Sequence, residues 1–339
     1  MKKRFTGLTC LVIVEIAALA VIMVLGILKL MKPTVDTRTI QTTEATTEAI
    51  KQEATPEDAA TETTTEAAVQ EPEPSKAIKE QLSNMTLEEK VSLLFVVSPE
   101  TLTSEDRVTI AGDKTRNYLS RYHVGGLSYS HINYEDDTQI KDLLDNTQTM
   151  TAELMPYQPL MFARDDSDGT IVNASSQDLS GLRRTLITED GVKNAKQSTS
   201  VHVIAQYPTA DAVSEDAGPV IFETVKGDDD TLTCLSAKTV TDYRKAHGYY
   251  GIIMTGRMDD AAVTGQYTAV EAMVQAIKAG VDMIYEPENF EEAFTAVVQA
   301  VDEGELSEED IDKAAGRVLT YMEQIGYWSG TETGDGNEE

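Results

Sequence analysis

Gly251-Ile252-Ile253-Met254-Thr255-Gly256-Arg257-Met258-Asp259 reads as a buried strand running into a loop. The apolar run is short, as strands are, and glycine sits before and after it. Similar runs stand at Leu93-Leu94-Phe95-Val96-Val97, Gly126-Leu127-Ser128-Tyr129-Ser130, Pro159-Leu160-Met161-Phe162-Ala163, Val201-His202-Val203-Ile204-Ala205, Pro219-Val220-Ile221-Phe222 and Val281-Asp282-Met283-Ile284-Tyr285. Short apolar runs separated by helical segments predict parallel strands with crossover helices. The fold class this predicts is α/β, a TIM-type (β/α)8 barrel.

The helical segments carry their own punctuation. Thr86-Leu87-Glu88-Glu89 is a capping box, in which a Thr hydroxyl and a Glu carboxylate satisfy each other's backbone N–H groups. The segment from Ala269 to Ile277 stops at Gly280, and another runs from Phe290 to Val301, near Gly304. Ser307-Glu308-Glu309-Asp310 opens the last helix, with Ile311, Ala314, Val318, Tyr321 and Met322 as its apolar face. The runs supply seven strands where a closed barrel needs eight. Between 201–207 and 219–222 there is also too little chain for a helical crossover of about a dozen residues. The barrel is therefore expected to be incomplete or irregular: an αβ unit has been lost, or one of these runs is not a barrel strand.

The barrel is assigned to residues 77–329. Residues 1–32 read as a membrane anchor: Met1-Lys2-Lys3-Arg4 is a basic start, and residues 7–28 are apolar for long enough to cross ~30 Å of hydrocarbon, with Glu15 as the exception. No small-x-small cleavage site follows, and Cys10 precedes the apolar run instead of ending it, which favours an uncleaved single-pass anchor over a signal peptide or lipoprotein. Residues 33–76 are rich in Thr, Glu, Ala and Pro, a composition with little to bury, so a disordered linker is expected; 330–339 read as an acidic disordered tail. The formal charge is −30, from 28 basic and 58 acidic side chains, which argues against nucleic acid as a partner. Cys234 is the one cysteine outside the apolar start, so no intramolecular disulfide is expected.

Several ordered motifs resemble the N-terminal domain of glycoside hydrolase family 3. They are Met85-Thr86-Leu87-Glu88-Glu89-Lys90-Val91, Tyr122-His123-Val124-Gly125-Gly126, Leu235-Ser236, Gly248-Tyr249-Tyr250-Gly251-Ile252-Ile253-Met254-Thr255 and Ala276-Ile277-Lys278-Ala279-Gly280-Val281-Asp282-Met283. The resemblance spans roughly 84–327, and its β-N-acetylhexosaminidase branch is the most similar. It implies a (β/α)8 barrel without a cofactor, and no His/Cys/Asp cluster has metal-ligand spacing. It also implies a retaining mechanism, in which an aspartate attacks the anomeric carbon.

The resemblance puts that aspartate where this chain has Gly256, which has no side chain to attack with. The family's acid/base His loop has no counterpart around His123, His131, His202 or His247. Asp165-Asp166-Ser167-Asp168-Gly169-Thr170-Ile171-Val172 stands where the family grips its sugar; Asp166 matches the gripping Asp, and Ile171 replaces an Arg whose fork of donors it cannot mimic. The candidate substrate-binding residues are Asp166, Asp168, Arg257 and Met258, and the candidate substitute nucleophiles are Asp259 and Asp260. The expected function is a membrane-anchored, extracytoplasmic pseudoenzyme that binds an N-acetylglucosamine-containing wall glycan or a cell-envelope protein. Two alternatives stand beside it: an active divergent glycosidase acting on such glycans, and a protein-interaction module without a sugar pocket.

Overall fold

A computed structural model describes residues 71–166, 169–187, 200–208 and 218–329, all within one compact unit, residues 66–339. The expected anchor (residues 7–28), most of the linker and the tail lie outside the described residues. Among the described residues, no helix is long and apolar enough to cross a membrane.

The sheet has nine short strands: β1 (Phe95–Val97), β2 (Gly126–Tyr129), β3 (Leu160–Arg164), β4 (Ile171–Ala174), β5 (Val201–Val203), β6 (Ala205–Tyr207), β7 (Val220–Phe222), β8 (Ile253–Arg257) and β9 (Met283–Tyr285). Their order is β5-β4-β3-β2-β1-β9-β8-β7-β6. Only Ile204 separates the two edge strands β5 and β6, and its N–H donates to Ile171 O at 2.9 Å. Residues 201–207 thus act as one stave, pairing with β4 through their first half and with β7 through their second. The sheet comes round to a nearly closed barrel.

Two expectations need correction. The strand that the apolar runs did not reveal is β4, which lies antiparallel to both β3 and β5, so the sheet is not wholly parallel. A tight return makes this possible: Asp165 N–H donates to Thr170 O and Gly169 N–H to Asp165 O, with Gly169 at φ 75°. That left-handed backbone suits glycine. Nor is either run beside the short connection surplus, because β6 and β7 are parallel neighbours in register. Within that connection, residues 209–217 lie outside the described residues.

Among the described residues the helices are α1 (Lys76–Asn84), α2 (Leu87–Leu93), α3 (Pro99–Thr103), α4 (Asp113–Arg121), α5 (Asp137–Leu154), α6 (Ser180–Ile187), α7 (Ala237–His247), α8 (Ala261–Thr264), α9 (Ala269–Ala279), α10 (Phe290–Asp302) and α11 (Glu308–Gln324). Thr86 and Glu89 form the expected capping box on α2, and Thr268 and Glu271 form another on α9. Gly280 ends α9 at φ 92°. β6 is only partly covered, but most strands are buried, with Phe95, Val96 and Val97 of β1 fully enclosed. Each such side chain stabilises the fold by about 1.5–3 kcal/mol relative to exposure.

At the start of β9 a buried carboxylate organises the N-terminal end of the barrel. Asp282 accepts Arg244 Nη2 at 2.6 Å, Arg317 Nη1 at 2.7 Å and the Ile253 N–H at 2.8 Å. Arg244 also donates to the carbonyls of Gly251 and Gly280. Arg317 forks onto both oxygens of Glu71, at 2.6 and 2.8 Å, so the last residues of the linker are held on α11. Removing the shared carboxylate would leave two largely buried guanidinium groups short of a counter-charge. Asp282→Ala should therefore destabilise the protein by about 3–5 kcal/mol in chemical denaturation; a loss below about 1 kcal/mol would contradict this role.

Candidate functional site at the barrel mouth

The C-terminal ends of the strands converge on a cavity of about 250 Å³. β3 contributes Arg164, β6 Gln206, the end of β7 Glu223 and Thr224, β8 Gly256 and Arg257, and β9 Tyr285. Strand ends at this face are where barrels place their chemistry.

A bulge delivers Gly256 to the cavity. Met254 pairs with Met283 but Arg257 pairs with Tyr285, so β8 carries one more residue than β9 over this step. The Tyr285 N–H donates to Thr255 Oγ1 at 2.9 Å, so a side chain supplies the acceptor that the ladder lacks here. On the other flank Phe222 pairs with Thr255, which brings Glu223 and Thr224 against Gly256. A Cβ on Gly256 would lie 3.1 Å from Thr224 N, 3.2 Å from Thr224 Cγ2 and 3.3 Å from Glu223 Cα. A side chain there would be in tight contact with Thr224 and the Glu223 backbone.

The other residues singled out from the sequence are placed as follows. Arg257 is half-buried and forks onto Asp259, with Nε to Oδ1 at 2.8 Å and Nη2 to Oδ2. Asp260 caps α8, its Oδ1 accepting the Ala262 N–H at 2.7 Å. Met258 is buried in the core, and its N–H donates to Tyr285 O. Asp166 lies just past β3 and does not itself line the cavity; its Oδ1 is 2.9 Å from Arg164 Nη2, which does, and its Oδ2 lies against His131 Nδ1. Asp168 lies outside the described residues.

Sequence reasoning missed Glu223, Glu286 and the pairing of His131 with Asp166. Each stands just past the C-terminal end of a strand, and that position was the available signal. Burial raises the Glu223 carboxyl above the usual carboxylate range, and the charge of Asp260 adds to this. Among the described residues no hydrogen bond or ion pair engages that carboxyl. Glu286 is buried at φ 48°, a strained setting for a residue with a side chain. Its carboxylate accepts Thr101 Oγ1 at 3.3 Å, and its carbonyl accepts the Asp259 N–H at 3.0 Å, tying the Arg257 loop to β9.

Burial pushes the Glu286 carboxyl from 4.5 up to about 7, with Arg257 opposing and Asp259 reinforcing the shift. The folded protein keeps this proton at pH values where the unfolded chain has released it. The contribution to stability is therefore fullest below the unfolded value and declines as pH rises toward the folded one, by up to ~3 kcal/mol. Glu286→Gln should flatten that part of the profile and be more stable than the parent at about pH 8. Denaturation at several pH values checks this, and parallel profiles for the two proteins would refute it.

The profile of the Glycosyl hydrolase family 3 N terminal domain matches residues 197–321. No curated protein sequence matches the chain. Among solved structures, a glycoside hydrolase family 3 β-N-acetylglucosaminidase from Paenibacillus sp. str. FPU-7 superposes with a TM-score of 0.50 at 18% identity, over 72% of this chain and 63% of that one. A fungal multi-domain GH3 β-N-acetylglucosaminidase gives 0.52 at 13% identity, over 71% and 40%. LpqI of M. tuberculosis gives 0.50 at 15% identity, over 74% and 97%. The chain thus spans less than two thirds of the length of the first two, and at these identities the likeness is one of fold. Residues 197–321 thus match the glycoside hydrolase family 3 N-terminal domain, and the barrel is similar in fold to β-N-acetylglucosaminidases of that family.

Proposed function

We propose that this protein is a non-catalytic glycoside hydrolase family 3 homologue whose barrel mouth binds an N-acetylglucosamine-containing glycan of the cell wall without cleaving it. Residues 7–28 anchor it in the cell membrane as a single pass, with the barrel extracytoplasmic; the apolar run and the basic start support that placement.

The observation that carries the reading is Gly256 at the nucleophile position, with Thr224 N 3.1 Å from where a Cβ would stand. Asp259 is engaged by Arg257, and Asp260 by the start of α8, so neither carboxylate is free to take over. Removing a nucleophile from a covalent enzyme costs on the order of 10⁴–10⁶ in rate, or ~5–8 kcal/mol of barrier. The cavity and its polar rim remain, and Asp166 stands where the family grips its sugar. Binding survives the loss of chemistry because the two draw on different groups.

One observation favours the active alternative. His131 held by Asp166 is an imidazole oriented by a carboxylate on the face where barrels do chemistry.

The full-length protein in detergent, titrated calorimetrically with a β-1,4-linked N-acetylglucosamine dimer, should bind saturably, and Asp166→Ala should weaken that binding about tenfold. Dye release from a chromogenic β-N-acetylglucosaminide should stay at the buffer rate. Release that scales with protein and collapses in His131→Ala would establish the active alternative.

Restoring the carboxylate should not restore turnover. Gly256→Asp should cost about 1–3 kcal/mol of stability by crowding Thr224, and dye release should stay at the buffer rate. Hydrolysis by this variant at unchanged stability would mean that the mouth is intact for catalysis.

A further inference from the structure

The carboxyl of Glu223 differs from the other acids at the mouth. Asp166 is matched by Arg164 and Asp259 by Arg257, while Asp260 serves the first turn of α8. Glu223 lines the same cavity, and no described residue bonds its carboxyl. Its backbone is held on both sides: its N–H donates to Tyr207 O at 3.1 Å, and its carbonyl accepts the Thr233 hydroxyl. The side chain therefore starts from a fixed point beside Gly256, half-buried, with the negative Asp260 nearby and no cation assigned to it.

A half-enclosed carboxylate without a counter-charge is costly, and a ligand that brings the counter-charge recovers that cost on binding. An ammonium group does so with charge-assisted hydrogen bonds, which are stronger than the neutral bonds of an acetamide N–H or a hydroxyl. The guanidinium groups of Arg164 and Arg257 do not offset this, since each already faces its own carboxylate. A sugar carrying a carboxylate would meet Glu223 and Asp260 unfavourably.

We infer that Glu223 is the specificity-determining residue of the mouth, and that it selects de-N-acetylated glucosamine, with its free protonated amine, over the N-acetylated sugar. This deepens the glycan-binding reading and rests on it. The ligand class becomes a partly deacetylated amino-sugar oligomer, with the amine seated against the Glu223 carboxyl in the cavity that Gly256 also lines.

The test is a pair of calorimetric titrations of the full-length protein, with β-1,4-linked dimers of glucosamine and of N-acetylglucosamine, at a pH where the amine carries its proton. The glucosamine dimer should bind about tenfold more tightly. Glu223→Gln keeps the shape and removes the charge. It should abolish the preference by weakening the glucosamine dimer about tenfold more than the acetylated dimer, while its melting temperature stays close to that of the parent. Glu223→Asp, which keeps the charge on a shorter stem, should retain part of the preference. Equal affinities in the parent protein, or a preference unchanged in Glu223→Gln, would overturn the inference and leave glycan binding standing. Binding of neither dimer would overturn both.

Discussion

The rest of the fold hangs on the carboxylate of Asp282. It sits at the entry to β9, receives two guanidinium groups and also accepts the backbone N–H of Ile253 at the entry to β8. It thereby sets two neighbouring strands at their N-terminal ends, α7 through Arg244 and α11 through Arg317. What leaves the other ends of those strands is the mouth: Gly256 and Arg257 from β8, Tyr285 and Glu286 from β9. Burying three charges is tolerable only because they are mutually paired and share several backbone contacts. The paired charges stand at one end of the barrel, and Glu223 and the strained Glu286 stand at the other.

The opposite end keeps the open mouth of a barrel, and the position that the motif resemblance gives to a nucleophile is a glycine. The bulge in β8 brings Gly256 to the cavity, and Glu223 and Thr224, just after β7, lie close against it. The charges at the rim are largely arranged in local pairs, Arg164 with Asp166 and Arg257 with Asp259. Paired in this way, they keep the rim polar without offering a free nucleophile. Glu223 and Glu286 stand apart, both pushed toward the neutral form by burial. Perturbed carboxyls of this kind collect where a protein handles ligands.

Much of this was legible in the sequence, and the reasons are local. The capping box at Thr86 and the helix end at Gly280 follow from backbone chemistry within a few residues. Six of the barrel's staves announce themselves as apolar runs, and part of a seventh does too. β4 did not, because Ile171-Val172-Asn173-Ala174 is broken by Asn173, buried at the strand's centre with its amide reaching Tyr321. Its antiparallel course comes from the return at 165–170, which apolar runs do not reveal. The double use of residues 201–207 is a property of sheet closure, and no pattern inside those residues encodes it. At the site, Gly256 was readable from its motif alone. Glu223 became visible only once the register of β7 on β8 placed it beside that glycine, and the His131–Asp166 pair only once β2 lay next to β3.

The central claim is that no carboxylate in this mouth attacks a sugar. Its most direct test is intact-mass spectrometry of the full-length protein after incubation with an activated β-N-acetylglucosaminide bearing a fluorine that slows breakdown of a covalent intermediate. A retaining hydrolase accumulates a glycosyl-enzyme under these conditions. The account predicts an unmodified mass. A mass increase of one sugar, mapped by fragmentation to Glu223, Asp259 or Asp260, would contradict it and name the attacking group.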